Sequence, residues 1–387
     1  MFRTLGRSIC SVIDDDRRSR ARDQIERLAQ RGHETVHFWQ EATEVLRSVV
    51  PFDFEPCWYT VDPDTLMITG HSNSGLRETP KEVARSQYVE DDVNRFSDLA
   101  RSHSPATTVS AATRGDPAAS WRWRNLLVPA GFDDALDAVL RSRGTTWGAL
   151  SLLHISDRAP FTRADIRFIA EVSPALATGT RLGLLLSSSV EQVEEPPPAV
   201  LLVDPDLSVV SVTPAASGWL EDLADNARHV EDSLPVSVQV AVLRATSGPD
   251  GEAAARVRGR SGRWAHVHAS RLVGGPAGLV AVVIESARES LTRPLLLHAH
   301  ALTVREREVV DLVLRGRSTD QIAAMLFLSP YTVQDRLKAV FEKLGVRSRR
   351  ELVAQIHASD FQPLIDDNDA RLRAGRPLST ASTPGPG

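Results

Sequence analysis

Cysteine and long hydrophobic runs are scarce in this sequence of 387 residues. Its two cysteines, Cys10 and Cys57, are too few for a disulfide framework, which excludes a small secreted scaffold held by disulfides. No apolar run reaches the roughly 18 residues that a membrane helix needs. The first residues also lack the hydrophobic length of a signal peptide. We therefore expect a cytoplasmic protein with no membrane partner.

Sequence motifs of catalysis are missing as well. There is no G-x-x-x-x-G-K-[ST] loop, no G-x-S-x-G elbow and no H-E-x-x-H pair. The acidic residues are scattered, and the histidines, His33 and His37 among them, show no metal-ligand spacing. His266 and His268 share one face of a strand, where solvent is the expected neighbour. We therefore predict no catalytic residue, no metal site and no enzyme activity, and whether the protein binds a cofactor is unknown from the sequence.

The segment from Leu302 to Leu352 carries dense helix-start signals. Three pairs fit the capping box, a hydroxyl followed three residues later by Glu or Gln: Thr303 with Glu306, Ser318 with Gln321, and Ser348 with Glu351. Ser329 followed by Pro330 fits an N-cap and a proline at the first helical position. Gly316 and Gly345 fall where helix ends need a left-handed residue. The spacing predicts four short helices.

The third of these helices, residues 330–344, is amphipathic. Its apolar face holds Val333, Leu337, Val340, Phe341 and Leu344 at a 3.6-residue period. Polar side chains that can form hydrogen bonds occupy the outer face near its N-terminus, as a reader of the DNA major groove requires. The periodicity alone fits an ordinary amphipathic helix in a small bundle equally well.

The segment resembles the C-terminal DNA-binding domain of the LuxR/GerE family of bacterial transcription regulators. The positions that match the family pattern are Leu302, Thr303, Arg305 to Val309, Gly316, Ser318, Ile322, Ala323, Leu326, Ser329, Thr332, Val333, Lys343 to Val346, Arg349, Glu351 and Leu352. They cover about the last sixth of the chain. The resemblance implies an all-α four-helix domain whose second and third helices form a helix-turn-helix.

The resemblance also implies which side chains contact DNA. The base-reading positions are Gln334, Asp335 and Lys338. The positions for backbone contact are Ser329, Thr332, Arg336 and Lys343, with Arg317, Ser318 and Thr319 at the start of the second helix. Family members commonly have His in place of Arg336 and often Lys in place of Gln334. Gln334 would suit adenine better than guanine, so the target sequence cannot be copied from another member.

The charge of the C-terminal segment gives modest support to the prediction that it binds DNA. Residues 301–357 carry a net charge of +3, whereas the whole chain carries −5 and the remainder therefore −8. A module of this charge would bind DNA weakly and in a salt-dependent manner, which favours a dimer on two half-sites. The implied partners are double-stranded DNA, a second copy of the chain, a small-molecule effector and RNA polymerase. Asp335 and Glu342 keep open an alternative, a degenerate helix-turn-helix adaptor that binds protein partners instead of DNA.

The preceding five-sixths of the chain is expected to hold two α+β sensory domains. The serine-, glutamate- and proline-rich stretch 187–198 marks a boundary between them. The predicted organisation is a GAF-like domain at 21–186, a linker at 187–198, a PAS-like domain at 199–287, a linker at 288–301, the helix-turn-helix domain at 302–358 and a disordered tail at 359–387.

The first domain shows helix and hairpin signals in turn. A long helical pattern runs from Arg22 to Val50, and a closing helix runs from Thr162 to Leu186. Hairpins are predicted around residues 62–64 and 143–145, together with a short strand at 125–128. The segment is similar to the GAF sensory domain, in particular the strand at 147–150 and the helix from Phe161.

Four tryptophans are candidates to line a ligand cavity in that domain, namely Trp58, Trp121, Trp123 and Trp147, and core packing is their alternative role. Cys57 has the pattern of a buried structural cysteine, and a thiol sensor or tetrapyrrole anchor is the alternative.

The second domain begins with strands at 200–203 and 209–212 joined by an Asp-Pro-Asp turn. A helix is predicted at 214–220, then a hairpin of 254–257 with 264–270, and a final strand at 278–284. This order resembles a small PAS domain. A phosphorylated receiver domain is a rival for the N-terminal region, because Asp53 lies near the expected distance from Asp14 to Asp16. Asp53 does not follow an apolar strand, which disfavours that rival.

Overall fold

The computed structural model divides the chain into two compact units, residues 1–292 (unit 1) and 293–387 (unit 2). It describes residues 2–78, 80–155, 160–186, 196–229, 233–273, 278–287, 302–344 and 346–352. The two predicted linkers and the predicted C-terminal tail lie largely or wholly outside these ranges. Among the described helices, none combines the length and the hydropathy needed to cross a bilayer.

The first part of unit 1 alternates helices with short strands. Its elements are α1 (Phe2–Gln30), α2 (Thr35–Arg47), β1 (Cys57–Val61), β2 (Ile68–Glu78), α3 (Pro80–Tyr88), α4 (Phe96–Arg101), β3 (Ala106–Thr108), α5 (Val109–Ala112), β4 (Asp134–Ser142), β5 (Thr145–His154) and α6 (Arg163–Leu186). Both predicted hairpins are confirmed, since β1 pairs with β2 and β4 pairs with β5, each antiparallel. The closing helix is confirmed as α6.

The second part of unit 1 is richer in strands. Its elements are β6 (Ala199–Val203), β7 (Val209–Val212), α7 (Ala216–Asp222), β8 (Asn226–His229), α8 (Val236–Ser247), β9 (Glu252–Arg258), β10 (Trp264–Arg271) and β11 (Val280–Ser286). The predicted strands and the small helix are all present. Helix α8 and strand β8 were not predicted.

Two sequence predictions in unit 1 are wrong. Residues 125–128 form no strand, because Trp123–Leu127 is a π-helical turn that Val128 closes by donating to the Trp123 carbonyl. The long helical pattern is two helices, broken at Gly32, whose φ of 69° lies in the left-handed region.

The two sheets of unit 1 share one strand order. Sheet 1 runs β3-β4-β5-β1-β2-β8 and sheet 2 runs β7-β6-β11-β10-β9. Apart from β8, each sheet has the order 2-1-5-4-3 when its strands are numbered within their own part of the chain. Strand β8 comes from the second part but pairs in parallel with β2 of sheet 1. The chain after the predicted boundary therefore completes the edge of the first sheet.

Helices α2 and α6 pack on sheet 1 around two tryptophans. The rings of Trp39 and Trp58 stack with centroids 5.5 Å apart. Trp58 donates its indole N–H to the Thr43 hydroxyl at 3.1 Å, and Trp39 donates to Thr180 at 2.9 Å. Each buried indole N–H thus has its acceptor, and together these contacts hold α2 against α6 and β1.

A buried ion pair joins the two parts of unit 1. Asp62, in the β1–β2 turn, accepts from the Arg256 backbone N–H at 3.0 Å and from its guanidinium at 2.8 and 2.7 Å. Asp64 accepts from the same guanidinium at 2.6 Å. Burial alone would raise the pKa of the Asp62 carboxyl, but the hydrogen bonds and charge of Arg256 outweigh it, and the pKa lies below its ordinary value.

Unit 2 contains α9 (Val304–Leu314), α10 (Thr319–Leu326) and α11 (Pro330–Leu344), followed by helical backbone at residues 349–352. The three complete helices surround one apolar core of residues from all of them. The four helix starts that the sequence predicts are therefore present, and Gly345 lies outside the described residues.

Replacement of Asp62 by Asn should destabilise unit 1 by about 3 kcal/mol, because the buried Arg256 loses a charged partner. The control is Asp206→Asn, which removes an exposed partner of Lys81 and should cost less than about 1 kcal/mol. All seven tryptophans lie between residues 39 and 264, so their fluorescence during urea unfolding reports on unit 1. If both variants lost the same free energy of unfolding, the buried pair of Asp62 and Arg256 would contribute no more than an exposed ion pair.

Candidate functional site

The helices of unit 2 begin at side-chain caps. Thr303 with Glu306, and Ser318 with Gln321, each form both hydrogen bonds of a capping box. The Ser329 hydroxyl accepts from the Thr332 backbone N–H at 3.1 Å at the start of α11. The residue between α9 and α10 with a left-handed backbone is Gly316, at φ 75°, as predicted. Local sequence therefore sets where each helix starts.

Helix α11 separates a buried stripe from an exposed face. Val333, Leu337, Val340 and Leu344 are buried in the core of unit 2. The three residues predicted to read bases, Gln334, Asp335 and Lys338, are all exposed on the other side. Since their spacing places 334 and 338 one turn apart, the three side chains form one polar surface, here called the outer face of α11.

The residues predicted to contact a nucleic-acid backbone lie around that face, but some have intramolecular roles. Ser318 and Ser329 are helix caps, and the Ser329 and Thr332 hydroxyls lie 2.8 Å apart. Arg317 is exposed, and its carbonyl accepts from the Arg349 guanidinium. Arg336 is half-buried, and its Nη1 has no hydrogen-bond partner among the described residues.

Lys343 is held by an ion pair inside unit 2. Its ammonium lies 2.6 Å from both carboxylate oxygens of Glu306, and Glu306 also accepts from the Thr303 backbone N–H at 2.7 Å. Burial would raise the pKa of the Glu306 carboxyl, but the hydrogen bonds from Lys343 and Thr303 outweigh it, and the pKa lies below its ordinary value. One carboxylate thus caps α9 and anchors the C-terminal part of α11.

A second candidate site is a cavity of about 270 Å³ in unit 1. Its apolar walls include Val83 of α3, Phe96 of α4 and Phe132, while Tyr59 and Cys57 contribute from β1. Cys57 is buried, as predicted, and its sulfur accepts from the Asn73 side chain at 3.1 Å. The cavity lies where α3 and α4 cover sheet 1, a placement common for small-molecule sites.

Polar groups at this cavity form a buried network. The Arg122 guanidinium donates to Asp137 at 2.8 Å, and the Ser151 hydroxyl donates to the same carboxylate oxygen at 2.7 Å. Burial disfavours the charge of Arg122, but Asp137 outweighs it, so the pKa of Arg122 lies above its ordinary value. A neutral polar ligand would meet a hydroxyl, an amide from Gln87 and a guanidinium whose charge Asp137 already balances.

The four predicted tryptophans lie outside the lining of this cavity. Trp58 and Trp147 are buried, and Trp58 faces α2 through its bond to Thr43. Trp123 donates its indole N–H to the Asp133 carbonyl at 2.6 Å, and Trp121 stands 6.0 Å from the Arg85 guanidinium. Sequence reasoning missed Arg122 and Gln87. The adjacency of Arg122 to two tryptophans was a signal, but its partner Asp137 lies 15 residues further along the chain, on β4.

Known proteins match mainly the C-terminal part of the chain. Residues 300–356 match the family model of bacterial regulatory proteins of the luxR family. The spore germination protein GerE of Bacillus subtilis is 36% identical over 69 residues, which are 18% of this chain and 85% of that protein.

The match to a second relative is longer and weaker. The probable transcriptional regulatory protein NarL of Mycobacterium tuberculosis (strain ATCC 25618 / H37Rv) is 28% identical over 176 residues, 45% of this chain. The match spans 65% of the length of NarL, less than two thirds. A solved structure of a phage VqmA–DPO complex is 18% identical and covers 43% of this chain and 82% of that chain, with a TM-score of 0.24. A score this low supports no conclusion about function.

Replacement of Glu306 by Gln should loosen the packing of α11 on α9 while leaving the cap of α9 in place, because Gln also serves in a capping box. Hydrogen-exchange mass spectrometry of peptides from 304–344 should show lower protection at neutral pH. Glu308→Gln, which removes an exposed partner of Arg305, is the matched control and should change little.

The effect should also depend on pH. The pKa of Glu306 is depressed in the folded state, so its contribution is present above the ordinary carboxyl pKa of about 4.3 and is lost as pH falls through the lower folded-state value. The difference between wild type and Glu306→Gln should therefore shrink below about pH 4. If the difference in protection between wild type and Glu306→Gln stayed constant across this pH range, the role assigned to the Glu306 carboxylate would be wrong.

Proposed function

The chain belongs to the luxR family of bacterial regulatory proteins, and we propose that it is a signal-responsive transcription regulator that reads the DNA major groove with α11. It acts as a dimer on two half-sites, and unit 1 supplies the sensory function. The outer face of α11 is the observation that carries this proposal. Three exposed polar side chains stand there on a helix whose opposite side is fixed in a core.

Each outer-face side chain suits a particular base edge. Gln334 has the donor and acceptor that pair with the N6 and N7 edge of adenine. Lys338 is a donor to the O6 and N7 acceptors of guanine, and Asp335 can accept from N4 of cytosine. Because the side chains lie within about one helical turn, they would contact neighbouring base pairs.

Arg336 is the best candidate for a phosphate contact. It lies beside the outer face and is half-buried; its Nη1 is buried without a hydrogen-bond partner among the described residues, so a phosphate contact requires the side chain to turn outward. A guanidinium is suited to phosphate because its planar N–H groups bind two oxygens at once. Thr332 and Ser329 can add hydroxyl contacts, and Lys343 would act mainly by fixing α11 through Glu306.

Unit 1 is the proposed sensor. Its two sheets of matching strand order are the predicted GAF-like and PAS-like modules, and the cavity under α3 and α4 takes a small effector. The buried Arg122–Asp137 pair leaves no uncompensated charge, so a small and predominantly neutral molecule is the preferred class. Effector binding changes how the two helix-turn-helix domains of a dimer are presented.

Selection of bound sites from random duplex DNA should give a two-fold symmetric site. Lys338→Ala should then relax specificity at one base pair per half-site, at a cost of roughly 1–3 kcal/mol, whereas Arg336→Ala should weaken all sequences alike. Arg20→Ala removes an exposed positive charge from α1 and is the control for charge alone. If Lys338→Ala and Arg20→Ala changed DNA specificity alike, the proposal that the outer face of α11 reads bases would be wrong.

Native mass spectrometry of protein purified from its own host should show a bound small molecule that is released on unfolding. Val83→Phe places a larger side chain in the cavity and should abolish that extra mass. Val89→Phe, at an exposed position next to α3, is the matched control and should retain it. If Val83→Phe retained the extra mass of the bound molecule, that molecule would bind outside this cavity.

One observation favours the second candidate, an adaptor that binds protein through unit 2. Met325, Phe327 and Tyr331 are large, exposed side chains around the turn between α10 and α11, and Phe327 is 95% exposed. Phe327 also has a positive φ of 54°, which is costly for a non-glycine residue. Exposed apolar groups of this kind mark protein contacts. The DNA selection experiment decides between the two functions, because the adaptor would enrich no site.

A further inference from the structure

Two histidines and a glutamate converge at the elbow between α1 and α2. His33 lies in the connection before α2, and His37 and Glu41 follow on the first and second turns of that helix. We propose that these three residues bind a divalent cation of the Zn²⁺ class. This site is separate from the outer face of α11 and from the cavity, so it does not depend on the function proposed for either.

The ligand atoms are already close together. His33 Nδ1 lies 3.1 Å from Glu41 Oε2, and His37 Nε2 lies 3.8 Å from the same oxygen. One ligand atom from each residue can be chosen so that all three are within 4.8 Å of one another. The two imidazole rings stack with centroids 4.9 Å apart and planes at 7°, so at least one ring must turn before both point a nitrogen at the same ion. A tetrahedral zinc ion with bonds of roughly 2.0–2.2 Å holds its ligand atoms about 3.3–3.6 Å apart, a spacing that lies between the two distances to Glu41.

The glutamate oxygen at the centre of the cluster forms no hydrogen bond with the described part of the chain. Glu41 Oε2 is buried and accepts no hydrogen bond from the described residues, although the His33 nitrogen is near enough. The two groups are in close contact without the alignment that a hydrogen bond requires. A buried carboxylate oxygen in this state is destabilised unless a positive charge compensates it. A cation between the carboxylate and the imidazoles would supply that charge.

The donor set selects the class of metal. Two imidazole nitrogens and one carboxylate oxygen are the ligands of many zinc sites, whereas Mg²⁺ and Ca²⁺ prefer oxygen ligands alone. Three protein ligands leave a fourth tetrahedral position for water or another group. The cluster is reachable from solvent, because the side chains of His33, Glu41 and His37 are 24%, 31% and 57% exposed.

The local fold holds two of the ligands in place. The Glu34 side chain accepts from the backbone N–H groups of Val36 and His37 and thereby starts α2 beside the site. His37 and Glu41 are one helical turn apart, so they face the same side. Phe38 and Trp39 between them are buried against α6. A cation would therefore join a packed helix to the connection after Gly32 and restrain the angle between α1 and α2.

Zinc binding should be measured on the untagged full chain by competition with a chromophoric chelator. We expect one Zn²⁺ per chain and a rise in the unfolding temperature when Zn²⁺ is added, because the metal binds the folded state. His37→Ala and Glu41→Gln should each weaken binding by at least about tenfold, since even the loss of outer-shell partners commonly has this effect. Tryptophan fluorescence checks that both variants are folded, because Trp39 neighbours the site.

His268→Ala is the matched control. His268 is also part of a stacked histidine pair with a glutamate nearby, but its Nε2 lies 3.9 Å from Glu252 and no third ligand converges there among the described residues. The His268→Ala variant should bind Zn²⁺ with the same affinity as the wild type. The proposal is overturned if the wild type binds no Zn²⁺, or if folded His37→Ala and Glu41→Gln bind it with unchanged affinity.

Discussion

The packing of α11 is the constraint on which the proposed activity depends. Four apolar residues on one side of this helix are buried, and the helix cannot rotate without exposing them. The ion pair between Glu306 and Lys343 adds a second restraint near its C-terminus. Together they determine that Gln334, Asp335 and Lys338 face outward. The outer face of α11 is thus a consequence of the core and of one carboxylate that also caps α9.

Charge is used differently in the two units. In unit 1 the ion pairs Arg122–Asp137 and Arg256–Asp62 are buried, and the second joins residues 194 positions apart in sequence. Such pairs are costly to desolvate and add little net stability, but removing one partner is strongly unfavourable. Because Asp62 lies in the β1–β2 turn of sheet 1 and Arg256 on β9 of sheet 2, their pair favours one arrangement of the two sheets over others. In unit 2 most charged side chains are exposed, where they remain available to a charged partner.

Helices and hairpins that depend on neighbouring residues are predicted well from the sequence. Strands that pair with a distant segment are not. The caps at Thr303, Ser318 and Ser329 and the hairpin turn at residues 62–64 depend on neighbours within a few positions, and the structure confirms them. Strand β8 could not be predicted, because its partner β2 lies about 150 residues earlier. The short strand at 125–128 was wrong because its apolar run of three residues does not distinguish a strand from a helical turn.

The same limit applies to the sites. The outer face of α11 follows from helical periodicity, so its three residues could be predicted. The cavity combines α3, α4 and β1, and tryptophan positions alone did not locate it. The cluster of His33, His37 and Glu41 was missed although its members are four residues apart, a spacing that places them on one face of the helix predicted from Arg22 to Val50.

The salt dependence of DNA binding tests the central claim most directly. The full chain would be titrated onto a duplex with a two-fold symmetric site, using fluorescence anisotropy at several salt concentrations. We expect the logarithm of affinity to fall linearly with the logarithm of salt concentration, with a clear preference over a scrambled duplex that persists as salt rises. Absence of binding at about 50 mM salt, or affinity that does not change with salt, would contradict the account.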